Sequence, residues 1–340
     1  MKIVVYPSDR QGCGSYRLIW PAEVLASAGY DVKVAKRNPA VVSSGNKIVG
    51  LAEDINADAV VFQRPCRRQY LDVFNVLQKS GIKIIIDNDD NLTDIHRNNY
   101  AFGTYNYQNL PDMHWKFGLE ACQMADIVTV TTPKLQEVYG GVVVPNCIPQ
   151  RYLDIERKEN ELVTVGWAGH VATHPEDLQV THGAVNQALS ATKGLSRFLA
   201  LGDQKTLQNL GVRERVPNGW LPGVPIDQYP GWVSQLDIGI VPLADTPFNA
   251  AKSALKFLEY MSLGVVPIGS PTPDNIRLQE ETGVGFIARN PKEWSQNIEA
   301  LIKDPEKRQE LSVKAREFAS QWTIEGNTNR WATAWGLDML

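Results

Sequence analysis

Short, unbroken runs of β-branched and other apolar residues recur along the chain, each followed by a longer stretch with helical spacing. Runs at residues 3–6, 32–34, 59–62, 82–86 and 127–130 are mostly continuous rather than alternating. That is the pattern of strands covered on both faces. Helix-like segments fall between them, at residues 16–28 and 67–79 and from about residue 111 to 124. Strands separated by segments of this length pair in parallel, with the helices as crossovers.

The alternation pauses after residues 142–144. Pro145 and Pro149 bracket a short connector, and a charged stretch follows over residues 154–161. A second series then opens at residues 162–167. Its further strands are expected at 198–201, 238–241, 265–268 and 284–287, with helices near 178–193, 251–263, 292–302 and 306–321. A chain of 340 residues exceeds a single core. The economical division is a domain at 1–150, a second at 151–322 and a closing segment at 323–340. Trp331 and Trp335 stand four apart in that segment, which predicts a last helix laying an aromatic face on something already folded. The expected fold is α/β, with two doubly wound parallel-sheet domains of similar size.

Composition narrows the partners. Lys and Arg number 34 against 38 Asp and Glu, a net charge of −4, which disfavours a chain that coats nucleic acid. A local basic patch at Arg64, Arg67 and Arg68 escapes that argument. The four cysteines form no C-x-x-C pair, so reduced thiols and a cytoplasmic location are expected. The first strand begins too early for a signal peptide, and no apolar run approaches the ~20 residues of a membrane span.

In open parallel sheets, ligands bind beyond the carboxyl ends of the strands, and four features fall there. The richest follows the strand at 238–241. Lys252, Lys256 and Glu259 are spaced i, i+4, i+7 on the expected helix, opposite an apolar stripe of Ala254, Phe257, Leu258 and Met261. A helix start with Ser253 and Lys252 suits a diphosphate, and Glu259 suits a ribose diol. The same spacing also describes a solvated face with a Lys256–Glu259 ion pair.

The second feature runs from Gly166 to Leu178. Gly169 allows close ligand approach, Pro175 opens a helix, and His174 faces the cleft or caps that helix. His170 and His174 as zinc ligands are the lesser alternative, since no third ligand is evident. The third is the loop from Asp9 to Arg17, with Gly12 and Gly14. It lacks the third glycine and the acidic partner of a dinucleotide site, and a plain strand–helix turn explains it equally well. The fourth is the acidic run from Asp87 to Asp94. Crowded carboxylates need a compensating charge, for which Arg64 is placed. Asp89 or Asp90 could orient an acceptor or take its proton. The run is also a capping and turn-forming cluster, and Asp87-Asn-Asp89 formally matches a metal-binding D-x-D.

The stretch from Phe248 to Pro267 resembles the donor-site signature of GT-B glycosyltransferases, closest to those related to glycosyltransferase family 4, bacteriophage members included. The resemblance is specific from Asn249 onward. It implies α/β architecture of the GT-B kind, two Rossmann-like doubly wound parallel-sheet domains facing a cleft, with a C-terminal helix crossing back to the first domain and a nucleotide-sugar co-substrate; with Lys252, Ser253 and a helix N-terminus to stabilise the leaving group, no essential metal is expected. It further implies that Glu259 holds the ribose, and that Asn249, Lys252, Ser253 and Lys256 lie by the donor. The run from Gly166 is similar to a family element placing Gly169 and His174 at the cleft. Gly12, Gly14, Tyr16 and Arg17 match a G-x-G-x-Y-R element bordering the reacting centre, so Gly12 and Gly14 are expected beside the donor. Tyr16, Arg17, Arg64 and Asp87 then fall on the acceptor side, with Asp89, Asp90 and His174 as the catalytic candidates.

Two departures stand out. The family's earlier glutamate is replaced by Ala251, and the usual Arg/Lys pair after the first C-terminal strand is not evident. The resemblance favours retention of configuration and leaves the acceptor as a glycan, a modified DNA base or a protein. A GT-B epimerase and a non-catalytic nucleotide-sugar-binding protein are the rival readings.

Overall fold

The structure is a computed structural model describing residues 1–105, 114–157 and 159–338. Strands β1 (Ile3–Tyr6), β2 (Val32–Val34), β3 (Val41–Ser44), β4 (Lys47–Leu51), β5 (Ala59–Gln63), β6 (Lys83–Asn88), β7 (Ile127–Val130) and β8 (Val142–Val143) belong to the first half. The second half contributes β9 (Val163–Ala168), β10 (Ser196–Gly202), β11 (Asn218–Pro222), β12 (Ile238–Val241), β13 (Val266–Gly269) and β14 (Phe286–Ile287).

They build two six-stranded sheets, β2-β1-β5-β6-β7-β8 and β11-β10-β9-β12-β13-β14, in which every pairing is parallel. The strand order reverses at β1/β5 in the first sheet and at β9/β12 in the second. Crossover connections leave in opposite directions at such points and open a crevice at the carboxyl ends.

The unbroken apolar runs become fully covered strands: all of β5 and all of β12 are buried. Two elements escaped the sequence reading. Strand β11 alternates exposed and half-buried residues and carries Asn218, Gly219 and Pro222, so it lacks an apolar run. The β3–β4 hairpin, antiparallel and largely exposed, lies apart from both main sheets. The helix expected from about residue 111 is seen as His114–Met124, its first positions falling outside the described residues. Local signals set other helix ends. Asn290 accepts a bond from Glu293 N at 3.0 Å while Glu293 reaches back to Arg289 N at 2.8 Å, and Pro291 opens the helix Pro291–Lys303.

The largest apolar cluster crosses between the halves. It joins Ile3, Val5 and Trp20 to Phe257, Tyr260 and Met261, and to Trp331 and Trp335 near the end of the chain. Backbone bonds from Ile148 N to Trp322 O (2.9 Å) and from Ile324 N to Ile148 O (2.8 Å) bring the chain back against the connector. The helix Thr328–Ala334 then packs on Trp20–Ser27 of the first half. Trp331 and Trp335 are each 1% exposed. Among the described residues, no helix is long and apolar enough to cross a membrane. Trp331→Ala is expected to cost about 3–5 kcal/mol of stability, read as a lower urea midpoint or melting temperature.

Candidate active site

The carboxyl ends of β1, β6, β9 and β12 converge on one cavity of about 330 Å³. Its walls include Gly12, Cys13, Tyr16, Asp89 and Asp90 from the first half, and Gly169, His174, Lys252, Ser253, Lys256 and Glu259 from the second. The sequence expected Lys252, Lys256 and Glu259 on one helix. The helix begins only at Leu255, after a short helix Pro247–Ala250 and a turn. Lys252 and Ser253 therefore stand in the turn, and only Lys256 and Glu259 share a helical face. The expected free helix start is also partly occupied, because Ala254 N donates to Asp274 Oδ2 at 2.7 Å. The apolar stripe of Ala254, Phe257, Leu258 and Met261 is buried, which turns the polar residues toward the cavity.

Glu259 is 6% exposed, with both carboxylate oxygens engaged. Tyr16 Oη donates to Oε1 at 2.6 Å and Tyr229 Oη to Oε2 at 3.0 Å. Burial first, and the Glu259 charge second, push both phenols well above their usual range, so both remain donors. Tyr16 also meets the Tyr152 hydroxyl at 2.8 Å. Tyr16 thus reaches from the first half across to Glu259 of the second. The cause is local: residues Ser15–Ile19 form a π-helical turn between Gly12–Gly14 and Trp20–Ser27, and Tyr16 leaves that turn toward the second half.

Arg17 and Asp87 form a buried ion pair in the first half. Each is 1% exposed, and Asp87 accepts from Arg17 Nε (3.0 Å), Arg17 Nη2 (2.7 Å) and Thr129 Oγ1 (2.7 Å). Arg17 Nη1 is taken by Val144 O and Asn146 Oδ1. The charges of the pair are satisfied within the fold, and Arg17 also borders the cavity. Asn146 passes the contact on, donating to Ser253 Oγ at 2.8 Å.

Asn249 stands behind His174. It is 4% exposed and donates to Asp177 Oδ1 at 2.7 Å and to Ala244 O. Asp177 in turn holds His174 Nδ1 at 2.8 Å. Asn249 therefore acts on the cavity through His174. Burial lowers the His174 pKa, and Lys252 and Lys256 add to that against the opposing pull of Asp177, which favours the neutral ring.

Gly14 is required by packing, since a Cβ there would stand 1.9 Å from Asp9 O, whereas at Gly12 nothing lies within 4 Å. A Cβ on Gly169 would meet the Trp167 ring at 2.7 Å. Lys256 Nζ donates to Ala168 O at 2.6 Å, and burial lowers its pKa.

Arg64 adopts a left-handed φ of 49° and binds both Asp89 and Asp90. Such a conformation in a non-glycine residue is costly and concentrates at functional sites. Asp90 also pairs with Lys252 at 3.2 Å. Burial alone would raise the Asp90 pKa, but Lys252 and Arg64 outweigh it and hold the carboxyl below its usual value.

Cys13, Asp89 and Asp90 offer ligand atoms within 4.8 Å of one another. They fit a cation poorly, because Arg64 and Lys252 already balance the two carboxylates and burial pushes the Cys13 thiol up to about 12. Asp87 and Asp89 engage different arginines rather than forming a joint D-x-D ligand pair. His170 lies 3.9 Å from Asp203 and His174 on Asp177, so these two have separate partners as well.

Sequence reasoning missed Asn146, Tyr152 and Tyr229. Tyr229 begins a short helix with Pro230 next in line, a readable helix-start signal, but it follows the unrecognised strand β11. The other two sit in the connector. Asn249→Ala is expected to cost about 1–3 kcal/mol by leaving Asp177 short of a donor, measured by denaturant unfolding.

No protein-family model matches the chain. A Bacillus subtilis (strain 168) protein named for a glycosyltransferase role in teichuronic acid biosynthesis, TuaH, is 27% identical over 119 residues. The match spans 32% of this chain and 30% of that relative, so it covers under a third of the relative's length. Solved structures align over nearly the whole chain. Anabaena HepE in complex with UDP and glucose gives a TM-score of 0.66 at 15% identity, covering 100% of both chains. A sucrose-phosphate synthase from Thermosynechococcus elongatus gives 0.64 at 15% identity over 99% of this chain and 98% of that one. WaaG, a glycosyltransferase involved in lipopolysaccharide biosynthesis, gives 0.62 at 12% identity over 98% of each. At these identities the likeness is one of architecture, and the chain has the GT-B fold: two Rossmann-like parallel-sheet domains facing a cleft.

Proposed function

We propose that the chain is a glycosyltransferase moving a sugar from a nucleoside-diphosphate sugar to an acceptor hydroxyl. The observation carrying this reading is one cavity spanning both switch points, with Lys252 and Lys256 on one wall and Asp89 and Asp90, paired with Arg64, on the other. Residues 1–150 form the acceptor-side domain, 151–322 the donor domain, and 323–340 the segment returning to the first.

Lys252, Lys256 and Ser253 stabilise the departing nucleoside diphosphate. Each Glu259 oxygen spends one lone pair on a tyrosine and keeps another for a ribose hydroxyl. A bond forms between the acceptor oxygen and the anomeric carbon. The bond from that carbon to the phosphate oxygen breaks, and its electron pair leaves with the diphosphate. The acceptor proton passes to Asp90, with Asp89 and the neutral His174 orienting hydroxyls. The resemblance to family 4 supports retention of configuration, which requires the acceptor oxygen to attack from the face the diphosphate leaves, and the existing charge balance supports metal independence. The partial relative's printed role in teichuronic acid biosynthesis supports a glycan as acceptor.

A panel of nucleotide sugars, with and without EDTA, tests this by thermal stabilisation and slow donor hydrolysis. One donor should raise the melting temperature and be hydrolysed equally in both conditions. Glu259→Ala is expected to weaken nucleotide binding roughly 100-fold, measured by calorimetry. Unchanged affinity would remove the ribose anchor.

A further inference from the structure

Lys252 belongs to the donor wall and Asp90 to the acceptor wall, yet their side chains meet across the cavity. Lys252 is 22% exposed and Asp90 18%, so the pair is shielded but reachable. The ammonium also lies 4.4 Å above the Phe248 ring, which supports the lysine at the cavity edge. Asp90 has a second cation in Arg64, at 2.8 Å, and Arg64 also serves Asp89. Lys252 can therefore turn away without leaving Asp90 unpaired.

We propose that Asp90–Lys252 is an exchange contact: an entering nucleoside diphosphate takes Lys252 from Asp90, and the released carboxylate engages the acceptor hydroxyl. Donor binding then prepares the acceptor side. This rests on the nucleotide-sugar reading above. A diphosphate offers more charge and more acceptor oxygens to the ammonium than one carboxylate does. Of the two cations that hold Asp90 in its low-basicity state, Lys252 has the larger influence. Its departure returns basicity to the carboxylate when a hydroxyl must be deprotonated. His174, Cys13, Asp89 and Tyr139 also neighbour it; burial raises the pKa of the Cys13 and Tyr139 groups and lowers that of His174, so none of them supplies a second cation in place of Lys252.

The test is a double-mutant cycle on the full chain, titrated calorimetrically with UDP, GDP, ADP and dTDP. If Asp90 competes with the diphosphate, Asp90→Asn binds the preferred nucleotide roughly fivefold tighter while sugar transfer falls. In a Lys252→Met background the same substitution should change affinity little. Asp89→Asn, which removes a neighbouring carboxylate that does not touch Lys252, should give a smaller gain. Unchanged or weaker binding in Asp90→Asn overturns the exchange, as does an equal gain in the Lys252→Met background. Asp90→Ser supplies the same comparison should Asn perturb folding, judged by ligand-free melting. Failure of the unsubstituted chain to bind any of the four nucleotides defeats the nucleotide-sugar reading itself, a result distinct from failure of the exchange.

Discussion

The buried Arg17–Asp87 pair is the constraint around which the cleft is arranged. Both groups are almost fully removed from water, and such a pair is sustained only when each charge is fully hydrogen-bonded. Here Asp87 takes three donors, and Arg17 also reaches Val144 O and Asn146. The helix after β1, the end of β6, Thr129 of β7 and the connector are thereby held in one geometry. Asn146 extends that geometry to Ser253, so the donor turn is positioned partly by an ion pair in the other half.

A second group of contacts ties the halves through the proposed donor residues. Glu259 is shared by Tyr16 and Tyr229, Lys252 meets Asp90, and Thr132 Oγ1 donates to Ala251 O at 2.9 Å. Ala251 stands where the resembled family has a glutamate. Burial against Thr132 and the first half's apolar surface explains why a small residue is accommodated there. The two walls of the cleft are consequently coupled. A ligand that engages Lys252 or Glu259 acts on side chains already in contact with the opposite half.

The sheets were largely readable because their signal is local. Continuous apolar runs such as 59–62 and 82–86 can satisfy burial on both faces only inside a covered parallel sheet, and β5 and β6 lie in one. Strand β11 and the β3–β4 hairpin escaped because exposed strands carry no such run. Within the cleft, Lys252, Lys256, Glu259, Asp89, Asp90, Gly169 and His174 were all nominated from strand-end position and are gathered into one cavity. Lys252 departs from the expected helical face, since a turn at residues 251–254 precedes the helix that begins at Leu255.

From the chain of letters alone came the two βα series, the connector near residue 150, the aromatic last segment and a pool of polar residues at strand ends. Those follow from periodicity and from the general rule that open sheets bind at their carboxyl edges. Partnership was decided only by tertiary structure. Tyr16 and Glu259 are 243 residues apart, and Lys252 and Asp90 162. No local pattern distinguishes a carboxylate saturated by a buried arginine, as Asp87 is, from one left facing a cavity, as Asp90 is. That distinction depends on desolvation and on which charges the fold brings within a few ångströms, and both are properties of packed chains.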